Sequence, residues 1–172
     1  HDNVYQCLES LRIDLKSKGV SWVKEFGLSD GLRCILDILK NIHRAHEQKG
    51  KTNYRATTHS LCIKCLQAFM NNTYGLQQTL DHPDALLTLA KSINVKYTNV
   101  MIEALKIMAA SCLITPTGHE KVLEALTTCA ERENHRERFS HIIEGLRLHD
   151  NDPLVVACMQ LINAIISSVD DL

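Results

Sequence analysis

Three segments of the chain repeat one helical face at a recurring spacing: Ile63–Gly75 (IKCLQAFMNNTYG), Ile102–Ile114 (IEALKIMAASCLI) and Val155–Ser167 (VVACMQLINAIIS). Placing Leu66, Leu105 and Met159 in register aligns Gln67, Lys106 and Gln160. Small or amide residues follow each within one or two turns, namely Asn71, Ala110 and Asn163. The aligned positions lie 39 residues apart across the first interval and 54 across the second. Helical repeats of about 40 residues build armadillo or HEAT arrays, so the expected fold class is all-α, an armadillo/HEAT-like right-handed helical solenoid. The last helices of such repeats stack into a concave surface that holds a partner rather than a substrate.

Local signals agree with a helical reading. Asp30-Gly31 precedes Leu32, Ile35, Leu36 and Leu39, an i, i+3, i+4, i+7 series that predicts a helix running to about His43. Asp81-His82-Pro83 opens a predicted helix over Leu86–Ile93, and Asp152-Pro153 opens the third long helix in the same manner. Thr117-Gly118-His119-Glu120 has the spacing of a capping box. The polar linkers are His46–Thr58 and the charge-rich Glu131–Arg138, which takes up the extra length of the second interval. Its acidic residues Glu131, Glu133 and Glu137 neutralise the basic ones, so a solvated face is expected there.

Charge and cysteine content narrow the partners. Nineteen Lys and Arg against twenty Asp and Glu give a formal charge of −1 over 172 residues. That balance lacks the basic footprint of a nucleic-acid binder and favours a protein or peptide partner. Seven cysteines, an odd number scattered through apolar helical stretches, fit buried free thiols in a reducing compartment, and hence a cytoplasmic location. No apolar run approaching the roughly 20 residues of a bilayer span is expected, so direct membrane insertion is not.

Isolated motifs read better as packing than as chemistry. Cys62-Ile-Lys-Cys65 matches C-x-x-C, but no second pair follows at zinc-site spacing, and one amphipathic face would carry both sulfurs into the core. His43, His46 and His59 lack a carboxylate or thiolate that would complete a metal set, so they are expected as exposed loop histidines. Asn71-Asn72-Thr73 is a chance match to a glycosylation acceptor at a helix end. Trp22, the single tryptophan, is expected to anchor its segment to the first repeat. With no Gly-rich phosphate loop, nucleophile elbow or paired acids, no catalytic role, cofactor or metal is expected.

Five strings in order resemble a known family: Cys7-Leu-Glu-Ser-Leu-Arg12, Val20-Ser-Trp-Val-Lys-Glu-Phe-Gly27, Leu36-Asp-Ile-Leu-Lys40, Ala68-Phe-Met-Asn-Asn72 and Gln160-Leu-Ile-Asn-Ala-Ile165. Together they resemble the N-terminal regulatory region of diaphanous-related formins, and the resemblance runs from about Cys7 to the C-terminus. It implies residues 1–28 as a helical segment leading into the repeats and facing a GTPase. Residues 29–172 are implied as an armadillo-repeat inhibitory domain of about three repeats, truncated at both ends.

The implied function is autoinhibition of an actin-assembling formin. The concave groove would hold an amphipathic C-terminal autoregulatory segment of the same protein, and a GTP-bound Rho-family GTPase would release it. Carried over by position, the groove comprises Gln67, Asn71, Lys106, Ala110, Leu113, Ile114, Gln160 and Asn163. The GTPase-facing positions are Ile13, Lys16, Ser17 and Lys18, where family members carry a valine followed by asparagines, so the lysines depart from the pattern. Actin enters only through domains outside this chain, the location implied is cytoskeletal, and a monomer is expected. The helices that complete GTPase selectivity, the dimerisation region and the actin-assembling domains are all expected to lie outside the chain. A generic armadillo or HEAT adaptor for an unrelated peptide is the alternative.

Overall fold

The computed structural model describes residues 2–48, 56–134, 137–148 and 150–170. Ten α-helices lie among the described residues: α1 Asp2–Ser17, α2 Val20–Leu28, α3 Gly31–Glu47, α4 Ala56–Phe69, α5 Thr73–Asp81, α6 Ala85–Ala90, α7 Thr98–Ile114, α8 Gly118–Arg132, α9 Ser140–Arg147 and α10 Asp152–Asp170. A 3-10 turn, Val95–Tyr97, leads into α7. No strand occurs among the described residues, and the all-α, armadillo-like class expected from the repeats is observed. The chain forms two compact units, residues 1–88 and 89–172, with the boundary inside α6.

In the first unit α4 is the central helix, with α1 and α3 packed on it. Its two cysteines mark those two sides. The Cys65 thiol donates to the Leu8 carbonyl of α1 at 3.1 Å, and the Cys62 thiol donates to the Ile35 carbonyl of α3 at 3.5 Å. The i, i+3, i+4, i+7 series of α3 is buried as expected, Leu32 through Leu39, and continues through Ile42 and His43. The first turn of α3 differs from expectation: Asp30 takes φ 63° and its side chain makes no cap bond. A tight left-handed turn, where Asp is better tolerated than most residues, starts the helix in place of a side-chain cap.

Aromatic rings fasten α2. Trp22 stacks on Phe26 at 5.7 Å, Phe26 meets Phe69 of α4 edge-on at 5.9 Å, and Phe69 meets Tyr74 of α5 at 6.3 Å. This chain of contacts is the anchoring role expected of the Trp22 segment. The segment Ile63–Gly75, however, is not one helix. Asn72 bridges two of them: its Nδ2 donates to the Phe69 carbonyl that ends α4, and its Oδ1 accepts from the Gly75 N–H at 2.8 Å to cap α5. A Cβ on Gly75 would run into the Phe69 carbonyl, so the sharp turn requires glycine.

The second unit is built around α7, packed by α8 and α10 and preceded by the 3-10 turn. Val100, Met101, Ala104, Leu105, Met108 and Cys112 are buried in it, and α7 is apolar around most of its circumference because neighbours cover most of it. Val95–Ile114 is by length and composition apolar enough to cross a membrane, and half of that stretch is buried within the fold. This corrects the expectation of no such run. The capping box at Thr117 is likewise absent, since its side chain makes no cap bond. The Gly118 N–H instead donates to the Thr115 carbonyl at 3.1 Å in a tight turn. At the other end, Asn151 Oδ1 accepts from Leu154 N–H at 3.1 Å and caps α10, with Pro153 in its first turn as expected.

Gly118 is where this tight turn meets α7. A Cβ there would collide with the Ser111 carbonyl, a backbone atom that cannot swing aside. Gly118→Ala should therefore destabilise the protein by about 2 kcal/mol or more. Gly19→Ala, at an extended backbone position with nothing within 4 Å, should change stability by less than about 1 kcal/mol. Urea titrations followed by circular dichroism compare the two directly, and equal costs would show that the α7–α8 turn is not the tight point.

Candidate functional site

The candidate groove in the second unit is the uncovered face of two parallel helices. At their N-terminal ends Gly145 lies against both Met101 of α7 and Leu154 of α10, and at their C-terminal ends Ser168 Oγ is 2.9 Å from the Cys112 carbonyl. The helices thus run in the same direction. α8 packs on both, and α9 packs on α10. What remains open on α7 is Lys106, Ala110, Leu113 and Ile114, with Leu113 63% and Ile114 58% exposed. On α10, Gln160 and Asn163 are exposed as well. All six second-unit residues assigned to the groove therefore belong to the open faces of the α7–α10 pair.

Sequence comparison missed three members of this surface. Val156, Met159 and Ile166 are exposed on α10, at 52%, 42% and 57%. The alignment hid them by using Met159 as the counterpart of Leu66 and Leu105, which are both fully buried. Cys158, fully buried, is the true counterpart of Leu105. With that one-residue shift, Lys106, Ala110 and Leu113 correspond to Met159, Asn163 and Ile166. Alternation of buried and exposed positions along α10 was the signal available, but apolar residues on both faces masked it. The resulting surface is apolar on the α10 side with amides at Gln160 and Asn163. On the α7 side Lys106 pairs with Glu103 at 3.5 Å.

In the first unit Gln67 is exposed on α4, and Asn71 is exposed in the turn that follows it. The residues assigned to the GTPase face are exposed at the C-terminal end of α1: Ile13, Lys16 and Ser17 on the helix, Lys18 just beyond. Lys18 is already engaged. Its ammonium lies 4.7 Å from the Trp22 ring centroid and 3.4 Å from the Asp14 carboxylate. Trp22 therefore fixes one of the two lysines through a cation–π contact, while Ile13 presents an apolar side chain to solvent.

The reactive-looking side chains belong to the fold. Cys62 and Cys65 are buried, and burial drives both thiols up, Cys65 to about 12. Cys112, Cys129 and Cys158 are buried too, whereas Cys7 and Cys34 are exposed, because they lie on the solvent sides of α1 and α3. The expectation of seven buried thiols is corrected at those two. The histidines also differ from expectation. His43 and His59 are buried between α3 and α4, and His46 is half-buried. Their rings lie 5.4 Å (His43–His59) and 5.3 Å (His46–His59) apart. They pack as core aromatics because α3 continues past His43 to Glu47, so these positions are helical and not in a loop.

All-α and armadillo-like, with an apolar-and-amide face left open on α7 and α10, the chain is a helical-repeat protein. Residues 1–113 match the family model described as the Diaphanous GTPase-binding Domain, and residues 119–172 match that of the Diaphanous FH3 Domain. The chain is 44% identical over 171 residues to Protein diaphanous homolog 2 of Homo sapiens, covering 97% of this chain and 15% of that protein. It is 41% identical to Protein diaphanous homolog 3 of Homo sapiens, over 99% of this chain and 14% of the relative. Protein diaphanous of Drosophila melanogaster is 39% identical over 92% of this chain and 14% of its own length. The chain thus spans about one seventh of the length of these curated relatives. It belongs to the diaphanous-related formins and represents their N-terminal region.

The buried imidazoles give a pH-dependent stability with a definite sign. Burial first, and the nearby His46 second, lower the His59 pKa from 6.5 to about 4. The folded state therefore favours neutral imidazole, and the unfolded chain binds the extra proton first. The stability this neutrality supplies is complete above about pH 6.5 and is lost as pH falls toward 4, by roughly 3 kcal/mol in all. Chemical denaturation between pH 7 and pH 4 should show that decline, and His59→Gln should flatten it. A variant with the parent's pH slope would assign the decline to other groups.

Proposed function

We propose that this chain is the autoinhibitory module of an actin-assembling formin, non-catalytic and without a cofactor. Its α7–α10 face receives an amphipathic C-terminal helix of the same full-length protein. The observation that carries this reading is the run of uncovered apolar side chains on two adjacent parallel helices: Leu113 and Ile114 on one, Val156, Met159 and Ile166 on the other. A helix laid along them buries apolar area worth about 25 cal/mol per Å². Ala110, small and exposed, lets the partner backbone approach, while Gln160 and Asn163 offer amides to its polar groups. Membership of a family defined by a GTPase-binding domain supports a GTP-bound Rho-family GTPase as the releasing partner, with α1 as its docking face. The buried free thiols and the family together support a cytoplasmic, cytoskeleton-associated site of action.

Ala110→Asp tests the groove. Because Ala110 is exposed, the fold should lose less than about 0.5 kcal/mol. A carboxylate pressed against an apolar partner should weaken binding of a peptide from the protein's own C-terminal tail by about two orders of magnitude. Calorimetric titration of parent and variant reads this directly. Equal affinities, with helicity retained, would place the tail elsewhere.

Release is tested in a longer protein that extends upstream of α1. A GTP-loaded Rho-type GTPase should weaken tail-peptide binding, and the peptide should weaken GTPase binding by the same factor, since one coupling free energy governs both. Lys16→Glu should chiefly slow GTPase association, and Ile13→Asp should speed dissociation. Lys18→Glu should also disturb α2, because Lys18 is tied to Trp22 and Asp14. Fluorescence competition showing both partners bound with unchanged affinities would overturn the release mechanism.

A further inference from the structure

We propose that Met159 is an oxidation-sensitive latch: peroxide converts its thioether to the sulfoxide and thereby holds the α7–α10 face open. This rests on the autoinhibitory reading above and adds a regulatory input to that site.

The four methionines of the chain differ sharply in access. Met101 and Met108 are fully buried in α7, Met70 is half-buried after α4, and Met159 is 42% exposed on α10. Met159 also sits in the middle of the stripe that the partner helix would cover. Val156 lies one turn before it, Asn163 one turn after, and Ile166 two turns after. Among these α10 positions no charged side chain interrupts the apolar surface. A flexible thioether suits such a surface because it adapts to the apolar side chains set against it.

Oxidation inverts that property. The sulfur lone pair attacks one oxygen of hydrogen peroxide, the O–O bond breaks, and sulfur gains that oxygen. The thioether loses two electrons, peroxide gains them, and the second peroxide oxygen departs as hydroxide, which takes the proton from the transferred oxygen and leaves as water. The product is a polar sulfoxide at the centre of an apolar contact, where it would be desolvated without a built partner. The bound autoregulatory helix would cover Met159, so peroxide acts on the released state and prevents relocking. A sulfoxide reductase restores the thioether and the lock.

The test uses the chain carrying Met70→Leu, treated with hydrogen peroxide and mapped by peptide mass spectrometry. Met159 should oxidise well before Met101 and Met108, and a saturating tail peptide should protect it. The oxidised protein should keep its circular dichroism spectrum and bind the tail peptide about tenfold more weakly or worse. With Met159→Leu added, whatever affinity the untreated variant has should be unaffected by peroxide, which separates Met159 from the exposed Cys7 and Cys34. Failure of the untreated protein to bind the peptide would overturn the autoinhibitory reading and the latch with it. Tight binding that survives complete oxidation of Met159, or an equal peroxide effect in Met159→Leu, would overturn the latch alone.

Discussion

The packing of α10 on α7 is the interaction on which the candidate site depends. α7 buries Leu105, Met108 and Cys112, while α10 buries Leu154, Ala157, Cys158, Leu161 and Ala164. Small residues on α10 let the helices come close, and the Ser168 hydroxyl at the Cys112 carbonyl closes their C-terminal ends. Because the two run parallel with a near-constant offset, their open faces extend one another. The exposed residues of this candidate surface all lie on the two helices, with no loop residue among them.

The first unit solves a different problem, holding short helices at a steep turn. α2 is only nine residues long and contributes Val23 as its one fully buried side chain, so rings supply most of the rest of its attachment. Phe26 fills the space above Gly31, where a Cβ would strike the ring, and meets Phe69 on α4. The same aromatic run reaches the surface at Trp22 and there holds Lys18. The candidate GTPase face is in this way joined to α2 through the contact of Lys18 with Trp22.

Much of this was legible in the chain because helical periodicity is a local property. The buried series of α3, the proline-led start of α10, and the placement of Cys62 and Cys65 in the core each follow from spacing along a few turns. The elements that escaped were decided by neighbours. Thr117 and Glu120 have capping-box spacing, yet the Gly118 turn against α7 takes the place of that box. Ile63–Gly75 reads as one apolar face until Asn72 divides it, and an asparagine's choice between capping and solvent exposure depends on the geometry of the turn around it.

By itself, then, the sequence determined the all-α class and the buried faces of helices such as α3. Each is set by periodicity along the chain. Only the tertiary structure decided which apolar residues of α10 face outward. Val156, Met159 and Ile166 have the same chemistry as the buried Leu154 and Leu161, and burial is conferred by α7 and α9, not by the side chain. It also decided that His43 and His59 pack in the core with His46 half-buried beside them, and that His59 is held toward its neutral form, since the cost of charging an imidazole depends on how much water the surrounding helices exclude.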